Sequence, residues 1–399
     1  MAVTLKIQTI KIILFFALIN SSIFVAYQGE LSFSVRSVLA IIMNLSGMLL
    51  LFSYIKKMDR LQELDGYVRL MFGILMFWGG IVIARGVQFD IEKINTLFGH
   101  YLMAWTWLSP LAIVFGLNVR NWVQLLGFFK WALLIGGVLA IGAWGYTNKQ
   151  SLGVLEWFVF LPYLVFMENK WDVKSLLLLA FVVAMYFVAT YYASVRANLL
   201  FSAILLFFYL IEIRRSQPDK KSGLVRYLIL IGVYGIPMVL GGYYLVQLWS
   251  SEDVLLQDTR TFLVEELFDD MVGVDRWIGR GAMGTYYSPY FSVAAGDAPV
   301  RSVNEIGYLH MVLKGGYLMA ALHLLVLAPV SLMGIFHAKN RIARSCGYII
   351  LSYLLLWVVS YYPVYSAEYI LIWMAAGTIA SKKIREMTDE EVYFAYNPG

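Results

Sequence analysis

Apolar and polar residues are segregated into long runs along this chain. The apolar stretches fall at about 9–27, 32–55, 67–88, 97–117, 123–145, 151–168, 174–193, 197–213, 225–249, 305–336, 344–361 and 364–381. A run of about 20 apolar residues suffices to cross the ~30 Å hydrocarbon core of a bilayer as a helix. The pattern therefore predicts about twelve transmembrane helices. Their connections are short except for residues 250–303, which are mostly polar. Within that interruption, 254–271 sets Leu256, Leu263, Leu267 and Met271 near one face and Asp258, Glu265, Glu266 and Asp269 elsewhere. This predicts an amphipathic helix lying on the membrane surface. Gly273, Gly279, Gly281, Gly284, Pro289, Gly296 and Pro299 follow, so the remainder reads as a compact loop.

Composition agrees with a membrane protein. The 399 residues are 60% hydrophobic and only 14% charged, with a mean hydropathy of +0.71. Soluble domains carry roughly 25% charged residues, so a soluble chain is excluded. The expected organisation is one membrane-embedded domain over 1–399, with a loop at 250–304 and a charged tail at 382–399. Lys6 and Lys11 precede the apolar run 12–26 as in a signal peptide, but no small-x-small site follows. An uncleaved first helix is expected.

The single cysteine, Cys346, allows no intrachain disulfide and no thiolate cage. His100, His310, His323 and His337 lack metal-ligand spacing. No metal and no cofactor are expected. The net charge of +5 comes from cationic loops that meet anionic lipid, so membrane lipids are expected partners and nucleic acid is not.

Lysines and arginines accumulate in short cytoplasmic loops. With the amino terminus inside, the inward connections carry Lys56, Lys57 and Arg60; Arg120; Lys170 and Lys174; Arg214, Arg215, Lys220, Lys221 and Arg226; Lys339, Arg341 and Arg344; and Lys382, Lys383 and Arg385. The short outward connections hold only Arg36, Arg85, Lys93, Lys149 and Arg196, with acids such as Glu30, Asp90 and Glu92. Both termini are thus expected in the cytoplasm, with 250–303 and Arg196 on the outer face.

Four features of that outer face carry candidate chemistry. Gly279-Arg280-Gly281-Ala282-Met283-Gly284 matches the dinucleotide pattern G-x-G-x-x-G letter for letter. Without a preceding strand or a surrounding βαβ unit, that reading fails. The glycines leave two readings open: a tight turn whose amides face an anion, or a loop returning to the membrane. Arg196 and Arg260 each read singly as an anchor or a surface ion pair. Together, guanidiniums converging at a membrane boundary suit a pyrophosphate, which their planar forks bind bidentately. Glu305, where the loop re-enters the membrane, reads either as an exposed helix-start acid or as a general base raised by partial desolvation. His310 is the weaker base candidate.

In the stretches Ser194-Val195-Arg196-Ala197, Thr259-Arg260-Thr261-Phe262, Gly279 to Tyr287, and Asn304-Glu305-Ile306 leading to Lys314-Gly315-Gly316-Tyr317, the chain resembles the O-antigen ligase and O-antigen polymerase superfamily of bacterial inner-membrane glycosyltransferases. The order of parts covers most of the chain and the motifs some forty residues. The resemblance implies an all-α, GT-C-like fold of about twelve helices, independent of metal and of nucleotide sugars. It implies that Arg196 and Arg260, helped by Arg280 or Arg276, hold a lipid pyrophosphate, that Glu305 serves the acceptor hydroxyl, and that Tyr286 and Tyr287 support sugar rings. Where Glu305 stands the ligases carry histidine, which shifts the expectation toward a polymerase extending undecaprenyl-pyrophosphate-linked repeat units, with a chain-length regulator as a conceivable protein partner. The alternatives are a ligase that moves finished glycan to lipid A core or protein and, from another class, a transporter or flippase of lipid-linked sugars. The single late loop and the lack of two similar halves disfavour transport.

Overall fold

A computed structural model describes residues 2–27, 31–168, 173–193, 196–216, 259–289 and 299–396. The expected span at 225–249, together with Leu256, Asp258 and Gly296, lies outside these residues. The described chain is almost wholly helical, as a polytopic membrane protein requires when no water is present to satisfy the backbone. Among the described residues six helices are long and apolar enough to cross a bilayer: Thr9–Ala26, Phe33–Lys56, Gly66–Gly86, Arg120–Ile141, Lys149–Met167 and Gly307–His337. A seventh crossing results if Ile91–Gly99 and Ala104–Gly116, bent by 47°, count as one. The runs at 174–193, 197–213 and 364–381 yield shorter apolar helices, Leu177–Ala193, Leu200–Glu212 and Ala367–Ala380. The chain is therefore a multi-pass, all-α membrane protein.

Packing divides the chain into two compact units. One comprises Met1–Ser21, Glu30–Val123 and Asp258–Gly399, and the other Ser22–Gly29 and Gln124–Gln257. In the second unit, Phe129 stacks on Phe160 with ring centroids 4.9 Å apart. Lys130 pairs there with Glu168 at 2.6 Å, which compensates a charge placed within an apolar run.

The first unit contains α1 (Phe33–Lys56), α2 (Gly66–Gly86), α3 (Ala104–Leu108), α4 (Ile113–Gly116), α5 (Thr259–Asp270), α6 (Val274–Ile278), α7 (Gly307–His337), α8 (Arg341–Leu356) and α9 (Ala367–Ala380). Its centre is α9, buried at every position but Glu368 and packed on α4, α7 and α8. Polar groups join α9 to the elements around it. Trp122 Nε1 donates to Thr378 Oγ1 at 2.8 Å, and that hydroxyl donates to the Gly116 carbonyl at 2.9 Å.

The basic connections of this unit gather at one end. Leu64 bridges Ser381, and Arg60 donates to the Leu117 carbonyl at 2.6 Å. Asn340 Nδ2 donates to the Ile384 carbonyl at 2.7 Å, and Arg385 Nη1 to the Ile379 carbonyl at 2.7 Å. Lys57 sits over the Phe115 ring at 4.0 Å. The connections holding Lys56 to Arg60, Arg120, Lys339 to Arg344 and Lys382 to Arg385 therefore share one end of the unit, as their alternation in the sequence requires.

Helix α7 is broken. Gly316 has φ 72°, so the 31-residue element is two helices meeting at a kink. The part beyond the kink and the whole of α2 each run 21 residues, or about 31 Å at 1.5 Å per residue, enough for the hydrocarbon core. Residues 307–315 are thus the portion of α7 in excess of a span.

Candidate functional site at the loop end

The polar segment folds back onto the end of α2 and onto the kink in α7. Its first described element, α5, is amphipathic as expected, but its apolar face has a different partner. Leu263 is buried, and Leu267 and Met271 form a core cluster with Tyr286, Val312 and Leu313. The helix covers protein rather than lying on the membrane by that face. A pattern of apolar positions states that a face is buried and cannot state against what.

Arg276 closes the end of α5. Its Nε donates to the Met271 carbonyl at 2.6 Å and its Nη2 to the Phe268 carbonyl at 2.5 Å, with the guanidinium over the Phe268 ring at 5.5 Å. These are carbonyls that a helix end leaves without partners. Arg276 is thus a helix cap, where a pyrophosphate ligand was expected.

The glycine motif docks on the kink. Arg280 N donates to the Leu313 carbonyl at 2.8 Å, Gly281 N to that of Lys314 at 2.9 Å, and Ala282 N to that of Val82 at 2.9 Å. Trp78 Nε1 takes the Gly315 carbonyl at 2.9 Å. The break at Gly316 releases the carbonyls before it, and these donors satisfy them. Of the two readings the sequence left open, the returning loop holds, because the amides at 280, 281 and 282 face carbonyls. Arg85 adds bonds to the Ile278 and Gly279 carbonyls at 2.6 and 2.8 Å.

Arg280 is enclosed by the same segment. Its Nε donates to Asp275 at 2.9 Å, its Nη1 to Asp270 and to the Thr285 carbonyl, and its Nη2 to the Asp270 carbonyl at 2.7 Å. Burial by itself would lower the guanidinium pKa. The hydrogen bonds and charges of Asp275 and Asp270 outweigh that and raise it. With these acceptors in place, Arg280 braces the loop and does not present its fork to a ligand.

Tyr286 and Tyr287 form a two-residue strand, β1, antiparallel to β2 at Val300–Arg301. Tyr286 is buried in the cluster beneath α5 while Tyr287 is exposed, so only Tyr287 offers its ring outward. Asn304, fully buried, donates to the Leu263 carbonyl at 3.1 Å and accepts from Ile306 N at 3.0 Å. It fixes the point of re-entry. Glu305, next to it, is 48% exposed and pairs with Arg301 at 3.1 Å. Its surroundings supply an ion pair rather than the desolvation expected of a general base. Arg196 begins one helix and Arg260 lies in the first turn of α5. Their side chains fall outside the described residues, and Arg196 belongs to the other unit.

Beneath the loop lie two residues of the 307–315 segment. His310 is fully buried, stacked on Trp107 at 6.2 Å with planes 16° apart and tilted against Tyr362 at 5.2 Å. Neither ring nitrogen has a hydrogen-bond partner. His323, thirteen residues on, contrasts with it: its Nδ1 meets the Met319 carbonyl at 2.9 Å and its Nε2 the Tyr369 hydroxyl at 2.6 Å. Lys314 is fully buried and donates to the Gly284 carbonyl at 2.8 Å. Sequence reasoning passed over Lys314. Its signal was a lone lysine inside the apolar run 305–336, where an ionisable residue demands a reason.

Among the described residues no cluster of three or more histidine, cysteine, aspartate or glutamate side chains is arranged to hold a metal ion. No family model, curated protein or solved structure matches the chain.

Proposed function

We propose that the chain is a glycosyltransferase of the O-antigen polymerase kind, extending a polyprenyl-pyrophosphate-linked glycan by one repeat unit at the outer face of a bacterial inner membrane. In this reading about twelve spans form a GT-C-like body with both termini cytoplasmic. The observation that carries it is the placement of the polar loop. It is seated on the kink of α7 and the far end of α2, at the end of the helices opposite the basic connections. Positive loops stay inside, so the loop faces outward, where lipid-linked glycan is assembled without nucleotide donors.

The exposed Glu305 orients the acceptor hydroxyl, with Arg301 holding its carboxylate. Tyr287 supports a sugar ring. Arg260 is left in this unit to neutralise the pyrophosphate leaving group, because Arg276 and Arg280 are committed to the loop. A ligase reading would need His310 to replace the ligase histidine at the water-facing position, and His310 is buried. The test is complementation of a polymerase-deficient strain. Glu305→Gln and Arg260→Ala, at normal protein levels, are expected to leave single-repeat glycan without a ladder. A ladder of normal length with both variants would overturn the assignment.

A further inference from the structure

The side chains of Lys314, His310 and Trp107 form a buried group of donors with too few acceptors. Lys314 follows His310 by four residues on α7, ahead of the break at Gly316, which sets the two on one side of the helix. Its ammonium has three N–H bonds to offer, and the Gly284 carbonyl takes one. No carboxylate pairs with it among the described residues. Trp107 Nε1 and both nitrogens of His310 are buried without partners. Trp107 is a donor only, and a neutral imidazole donates from one of its two nitrogens.

Buried polar groups are normally satisfied, and each lost partner costs about 1–3 kcal/mol, more for a charge. Here three donors from two helices, α3 and α7, share the deficit, with the His310 ring stacked on Trp107 at 6.2 Å. A group that satisfies them together must accept several hydrogen bonds, and negative charge on it would complement the lysine. A phosphoryl group does both. The position fits as well, because residues 307–315 are the part of α7 in excess of a 21-residue span and lie against the polar loop.

We propose that Lys314, His310 and Trp107 form a binding site for the phosphoryl group of an anionic lipid, reached from beneath the loop that covers Lys314. It rests on the polymerase reading only for the identity of that lipid, which would then be the polyprenyl pyrophosphate. The lysine supplies charge, the indole and imidazole supply direction, and the site takes the place that Arg280 and Arg276 do not fill.

The test uses the purified full-length chain in phosphatidylcholine nanodiscs, with farnesyl pyrophosphate and inorganic pyrophosphate as probes in a calorimetric or fluorescence titration. Farnesyl pyrophosphate is expected to bind, and Lys314→Met and Trp107→Phe are each expected to weaken it at least about tenfold, the size of one lost charge-assisted or buried hydrogen bond. Trp107→Phe keeps the ring packing, so it remains informative if Lys314→Met fails to fold. Competition by phosphatidylglycerol nanodiscs would assign the site to bulk headgroups, and preference for farnesyl pyrophosphate over both other anions to a prenyl carrier. Either result supports the site. Unchanged affinity in a stably folded Trp107→Phe, or no binding of either probe by the wild-type chain, would overturn it. Binding without glycan ladders in cells would defeat the polymerase reading alone, whereas ladders with unchanged binding in the variants would defeat the site alone.

Discussion

Gly281 and Lys314 grip each other's segments twice: the Gly281 amide donates to the Lys314 carbonyl at 2.9 Å, and the Lys314 ammonium reaches the Gly284 carbonyl at 2.8 Å. The loop and the kinked helix are therefore one structural object. A helix broken inside an apolar environment is tolerated when other groups take up the freed carbonyls, and here the polar loop supplies them.

The kink should be the most sensitive point of that object. At Gly316 an added Cβ would sit 2.0 Å from the Trp277 carbonyl oxygen, on a backbone with φ 72°. At Gly273, φ is 58° but nothing lies within 4 Å of such an atom. Left-handed backbone costs a substituted residue about 1–2 kcal/mol. Gly273→Ala should lose about that much, and Gly316→Ala more than about 2 kcal/mol, because the clash adds to the strain. Thermal unfolding in detergent measures both. Equal losses would mean that the loop does not hold the kink.

Arg280 should matter for stability before it matters for substrate. Arg280→Gln removes two ion pairs and two carbonyl bonds, and is expected to cost about 2 kcal/mol once partial exposure is discounted. Residual activity should track the amount of folded protein. The folded pKa is raised, so this contribution is complete below the ordinary arginine value and is lost only at pH above the raised one. Between about pH 6 and pH 9 it should stay constant. A stable Arg280→Gln protein with no activity would return Arg280 to the substrate site.

Neighbouring positions at the re-entry point should separate cleanly. Asn304→Ala strands the Leu263 carbonyl and the Ile306 amide in a buried site, and should cost about 1–3 kcal/mol. Glu305→Gln alters one half-exposed ion pair, and should stay within about 0.5 kcal/mol. Urea or thermal titration of the two variants side by side checks the contrast, and a destabilised Glu305→Gln would make Glu305 a structural residue.

Orientation can be read with thiol reagents. The only cysteine, Cys346, is buried, while Glu305 and Lys383 are exposed. In spheroplasts a membrane-impermeant maleimide should label Glu305→Cys, and should reach Lys383→Cys only after permeabilisation. Labelling of both from one side would break the alternation on which the proposed outward orientation of the loop depends.

By itself the sequence determined that the chain is a multi-pass membrane protein, that the apolar runs within the described residues are helical, that the basic connections of the first unit share an end, and that α5 has one face to bury. Those follow from local properties: apolar length, the spacing of charges, and helical periodicity. It also indicated Asn304 and Glu305 as the point of re-entry. What the tertiary structure decided is the partner of each group. Arg276 and Arg280 read as free cations until Phe268, Met271, Asp270 and Asp275 were brought to them, and the glycine motif read as a possible anion turn until the kink at Gly316 presented its carbonyls. Lys314 became visible only when α7 proved to be broken beside it, because one lysine in an apolar run has no meaning until its surroundings are known. Hydrogen bonding and charge pairing are satisfied across long separations in the chain, and a linear pattern carries the donors and acceptors without the distances between them.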